Sequence, residues 1–192
     1  MKKTLYLLVA LFLFSACETK IPDKKSPEGA FRRLSACIDS ASTECLFGEL
    51  DSETRWTVSS IYKILQEMKK TVNKSYPDDD ALRNSVFGKW HKMAAVKNDV
   101  EMFSLLCQKS QCLQHLARGF GAVRELKKDG DEAELTTVRD ETFLLRRVKG
   151  KWGIVLLDEM LKGEQTRLSD TLRQVKRNAA EYEQQRLATG RK

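Results

Sequence analysis

The spacing of apolar residues changes once along this chain, and that change limits the fold more than any other feature. From Ser26 to Leu116 the apolar positions recur every three or four residues, as the buried faces of helices do. After Gly119-Phe120-Gly121 the sequence reads as strands, with Asp129-Gly130 and Gly150-Lys151 marking reversals between short strands. Helices first and hairpin-linked strands after predict an α+β fold. N-terminal helices should pack on a curled antiparallel four-stranded meander, and a C-terminal helix should follow.

The helical half is punctuated by its own start signals. Ser26-Pro27-Glu28 supplies a cap, a proline at the first helical position and an acid near the positive helix end. Ala30, Phe31, Leu34, Cys37, Ile38 and Ala41 then form one stripe. Ser42 and Thr43 can cap a short helix carrying Cys45, Leu46 and Phe47, and Asp51 caps a third with Val58, Ile61, Leu65, Met68 and Val72 inward. Pro77 breaks that pattern. Asp78-Asp79-Asp80 reads as the start of a fourth helix bearing Leu82, Val86, Phe87, Trp90 and Met93. Calcium is the poorer reading, because the alternating acids and glycine of an EF-hand loop are missing. A fifth helix opens near Asp99, with Val100, Phe103 and Leu106 inward.

In the strand half, Ala133, Leu135 and Thr137 share one face. Trp152, Ile154 and Leu156 alternate with Gly153, Val155 and Leu157 in the last strand, so that strand should lie centrally or be covered by helices. Beyond Asp158, Leu161, Leu168, Leu172, Val175, Ala179 and Tyr182 draw a narrow helical seam. Two uses remain open for it: packing on its own domain, or pairing with a partner protein.

The amino terminus carries an address. Lys2 and Lys3 precede an apolar run from Leu5 to Phe14, and Phe14-Ser15-Ala16-Cys17 closes it. Ten apolar residues make about 15 Å of helix, half of a ~30 Å hydrocarbon core, so this is a signal peptide rather than a membrane span. The closing residues resemble a bacterial lipobox, which implies acylation of Cys17 as the first mature residue. An ordinary signal peptide cut near Ala16 is the competing reading. The expected organisation is a leader at 1–16, a lipidated cysteine and tether at 17–26, an α+β domain at 27–158 and an amphipathic helix at 159–192. Glu18 after the cysteine, where retention in the inner membrane uses aspartate, favours the outer membrane facing the periplasm.

Export bears on charge and on the cysteines. The formal charge of +7 becomes +5 once Lys2 and Lys3 leave with the leader. That surplus suits anionic headgroups or acidic partners, while the absence of a basic stripe interleaved with aromatics argues against nucleic acid. Cys37, Cys45, Cys107 and Cys112 form an even set in an oxidising compartment, so two disulfides are expected. The local pairs Cys37–Cys45 and Cys107–Cys112 are favoured among three connectivities. Residues five apart on a continuous helix point about 140° away from each other, so the second pair requires a helix break within 108–111.

No nucleophile elbow, phosphate loop, Cys-x-x-Cys pair or familiar metal motif occurs, and neither His91 nor His115 has a carboxylate nearby in sequence. No catalytic residue, metal or cofactor is therefore assigned. Trp56, Trp90 and Trp152 are candidates to line a pocket for an apolar or sugar-like ligand, with plain core packing as the alternative.

Ser26-Pro27-Glu28-Gly29-Ala30-Phe31 and Leu46-Phe47-Gly48-Glu49-Leu50-Asp51 resemble the first helices of the nuclear-transport-factor-2-like (SnoaL-like) superfamily. Gly150-Lys151-Trp152-Gly153-Ile154-Val155 is similar to the final strand of many exported members. The resemblance implies a cone-like fold with a cavity between sheet and helices. It also implies either a module that binds ligands or partners or, less favoured, an isomerase or hydrolase. The expected function is a non-enzymatic envelope lipoprotein: membrane-held through Cys17, with an envelope protein as possible partner at the C-terminal helix. A small-molecule carrier using the cone cavity is the alternative.

Overall fold

The structure is a computed structural model that describes residue 23 and residues 25–77 and 81–189. The leader, Cys17, most of the tether and Asp78-Asp79-Asp80 lie outside the described residues, as do the side chains of Leu82, Val86 and Phe87. The described residues form an α+β fold of seven helices and a four-stranded antiparallel meander.

Helix α1 (Pro27–Asp39) starts at Ser26, whose hydroxyl accepts from the Gly29 N–H at 3.0 Å. Helix α2 (Thr43–Glu49) starts at Ser42 in the same way, through the Cys45 N–H at 3.1 Å. Cys37 and Cys45 join the two at disulfide distance, with Cα atoms 5.2 Å apart. Arg33 adds a second tie, donating from Nε and Nη2 to the buried Glu49 carboxylate, and this hydrogen bonding raises the guanidinium pKa above its ordinary value. Helix α3 (Ser52–Ser75) follows from Asp51, which accepts the Glu53 N–H at 2.9 Å.

Helices α4 (Ala81–Ala95), α5 (Asp99–Ser110) and α6 (Cys112–Gly119) complete the first half. Strands β1 (Val123–Asp129), β2 (Glu132–Thr137), β3 (Thr142–Val148) and β4 (Lys151–Ile154) pair in chain order. Gly130 (φ 55°) and Gly150 (φ 76°) take the left-handed backbone of their turns, where a glycine carries no side-chain penalty. Register sets Leu135 opposite Phe143, Ala133 opposite Leu145, and Leu145 opposite Ile154. Those residues and Trp152 are all buried, so one sheet face is the floor of the core.

The last strand is shorter than the alternation to Leu157 suggests. It ends at Ile154, and Leu157 turns into a left-handed conformation (φ 58°) to start the next helix. β4 is also the end strand of the four rather than a central one. Its outer edge is closed by Leu50, which bridges Ile154 in parallel, and by the Asp51 N–H donating to Ile154 O at 2.9 Å. Gly153 permits this: a Cβ there would stand 2.6 Å from the Asp51 backbone.

Helix α7 (Asp158–Ala188) runs along α3 in the most extensive contact between elements. Leu161, Leu168, Leu172, Val175 and Ala179 meet the stripe of Val58, Ile61, Leu65, Met68 and Val72. The two helices are parallel, because Lys162 pairs with Glu53 at 3.4 Å, Lys176 with Glu67 at 2.5 Å and Glu183 with Lys74 at 4.0 Å. Lys162 also donates to Asp158 at 2.8 Å, and these bonds raise its pKa. Both partners bury a stripe of mostly four-three spacing, the pattern that packs one helix along another. The seam is thus buried on its own domain, and residues 159–188 share the core of residues 27–158.

Candidate functional site

Four helical segments leave a groove of about 740 Å³ between them, built from the start of α2, the end of α4, one face of α5 and the start of α6. That volume falls within the ~300–1,000 Å³ typical of ligand sites. Its walls follow from how α5 is placed. Asn98 accepts the Glu101 N–H, and the Glu101 carboxylate accepts the Lys97 N–H, both at 2.9 Å, which fixes the helix start. Met102, Phe103, Leu106 and Cys107 then point into the core. Ser104, Leu105 and Gln108 are left on the opposite side, facing the groove.

The far wall is a corner. Gln111 adopts φ 53° and ψ 34°, ends α5 and opens α6. Cys107 and Cys112 lie at disulfide distance across this break, with Cα atoms 5.0 Å apart. Beyond it, Leu113 and Gln114 also line the groove. Thr43 and Ser104 share a 2.7 Å hydrogen bond that fastens α2 to α5. Helix α3 fixes the fourth side, the loop after α4. Lys69 donates to Ala94 O at 3.2 Å, Tyr62 to Lys97 O at 2.8 Å and Ser59 to Asp99 at 2.6 Å. Ala95, the last residue of α4, and Val96 just after it are thereby held against the groove.

This is a mainly apolar trough edged by amides and hydroxyls, with Lys92 and Glu101 as its charged residues. Such a lining can shed water from an apolar ligand and orient it through a few hydrogen bonds. Among the described residues no group of three or more histidines, cysteines or carboxylates is placed to hold a metal, and no helix is long and apolar enough to cross a membrane.

The three tryptophans are not brought together. Trp56 is 63% exposed on α3. Trp90 is buried on α4, with the Arg167 guanidinium 5.3 Å from its ring centre. Trp152 is buried on β4 between Lys128 and Arg147, at 5.6 and 5.5 Å, and its Nε1 has no hydrogen-bond partner among the described residues. None of them lines the groove. The space between sheet and helices, where the resemblance puts a cavity, holds Phe31 stacked on Phe120 at 4.4 Å and edge-on to Phe143 at 5.2 Å.

The histidines sit apart. His91 is exposed on α4 and directs Nδ1 to Gly88 O at 3.1 Å. His115 faces a recess of about 340 Å³ at the end of the sheet, with Glu141 and Asp158 on the same walls. Asp158 is held by Lys162, as described above, and no hydrogen bond joins His115 to either carboxylate among the described residues.

Sequence reasoning did not find the groove. One sign was available: Leu105 lies off the stripe of Phe103 and Leu106, an apolar residue with no core to enter. No protein-family model, curated protein or solved structure matches this chain.

Proposed function

We propose that this chain is a non-enzymatic binding module of the bacterial envelope, lipid-anchored through Cys17 and using the α4–α5–α6 groove to hold an apolar ligand. The observation that carries the reading is the groove itself: about 740 Å³, walled by Leu105, Leu113 and Val96 and stiffened at its corner by the Cys107–Cys112 pair. The leader and lipobox-like Phe14-Ser15-Ala16-Cys17 support the address, with the outer membrane facing the periplasm as its place. The order of helices and meander supports a nuclear-transport-factor-2-like, cone-like fold, with the ligand displaced from the sheet to the helical side. A protein partner at α7 would meet its polar outer face, since α3 takes the seam.

Two experiments test this. N-phenyl-1-naphthylamine, a neutral apolar fluorophore, should bind saturably to the purified protein, and Leu105→Arg should abolish the signal by filling the groove. A linear, unsaturable response in both proteins overturns the binding role. Cys17→Ser should move the chain from the membrane fraction to the soluble fraction of its host. Unchanged fractionation removes the lipid anchor.

A further inference from the structure

Beside the groove, across Leu105, lies a second lobe of different chemistry. This lobe, of about 450 Å³, is lined by His91, Lys92, Met93, Leu106 and Lys109, and it shares Lys92, Leu105 and Gln108 with the larger one. The two therefore adjoin and have unlike linings. Lys92 and Lys109 put two cationic residues on the walls of the smaller lobe, and no carboxylate lines it among the described residues. Neither lysine pairs with an acid of the described residues, in contrast to Lys162, Lys176 and Lys74 on the α3–α7 pair. In the larger lobe the one carboxylate, Glu101, is already engaged by the Lys97 N–H. An apolar trough with a cationic mouth is complementary to a molecule with an apolar chain and a negative head.

We propose that the ligand of this site is a single-chain anionic amphiphile, its chain in the trough of Leu105, Val96 and Leu113 and its head between Lys92 and Lys109. The inference rests on the reading of the groove as a binding site and adds the class of ligand. Met93 lines the mouth beside the lysines, so the first carbons below the head also meet apolar surface. Lysine suits this role, because its ammonium is a mobile point charge on a long apolar stem and needs no fixed bidentate geometry.

The test is displacement of N-phenyl-1-naphthylamine from residues 17–192 carrying Cys17→Ser, which retain every described residue and no acyl chain. Three competitors share a twelve-carbon chain and differ in head: dodecanoate, dodecanol and dodecyltrimethylammonium, each below its micellar concentration. Dodecanoate should displace the probe at about tenfold lower concentration than the cation, the preference two partly exposed charges can give. Lys92→Glu with Lys109→Glu should invert that order and leave dodecanol unchanged. Equal potency of the three heads in the unaltered protein overturns the anionic assignment and leaves the groove reading standing. Probe binding with no displacement by any competitor overturns the amphiphile class, and no probe binding at all overturns both readings.

Discussion

Helices α7 and α4 both carry apolar residues at helical spacing, yet they use them differently. On α7 the seam from Leu161 to Ala179 is buried against α3 along its length, and ion pairs to Glu53, Glu67 and Lys74 hold the two helices in step. On α4 only Trp90 and Ala94 are buried among the described side chains. Its end is held through backbone carbonyls by Lys69 and Gln66 instead. The parallel pair concentrates buried apolar area and hence stability. The α4–α5–α6 corner holds its shape through caps, a cysteine pair and hydrogen bonds to α3. Apolar surface there stays open, which is what a ligand requires.

Mutations in the two regions should therefore separate. The largest effect is expected from Leu168→Ala, which leaves a cavity in the α3–α7 seam and should cost about 3 kcal/mol in urea unfolding. Replacing Cys107 and Cys112 together by serine releases a short loop and should cost about 2 kcal/mol. Faster amide exchange should then be confined to 107–116, and exchange that also accelerates along α7 would break the distinction between the regions. The smallest effect belongs to Leu105→Arg. It should change stability by about 0.5 kcal/mol while abolishing probe binding, because Leu105 touches the groove more than the core. A cost near that of Leu168→Ala would make the groove wall part of the core and erase the contrast.

Much of the fold was legible because its signals are local. Ser26, Ser42 and Asp51 cap the helices that follow them, and Asp129-Gly130 and Gly150-Lys151 turn their hairpins. The requirement that a Cys107–Cys112 pair break its helix is met at Gln111. Alternation misled at one place. Val155 to Leu157 continue the period of two, but the chain leaves the sheet after Ile154, where Leu50 and Asp51 occupy the edge. The histidines and tryptophans, singled out for their chemistry, are scattered over separate elements. The groove residues, drawn from α2, α4, α5 and α6, carried no such mark.

The sequence by itself determined the order of elements, the α+β class and the existence of a seam on the last helix, and it favoured the local cysteine pairs. Each of these depends on residues within a turn or a few turns of one another, where caps, periodicity and loop closure act. Only the tertiary structure decided that the seam belongs to α3, that Gly153 lets Asp51 close the sheet edge, and that Leu105 faces a groove with Lys92 and Lys109 on the recess beside it. Those outcomes depend on which surfaces compete for burial across the whole chain. A groove is where that competition leaves apolar surface uncovered, and residues near one another in sequence do not record it.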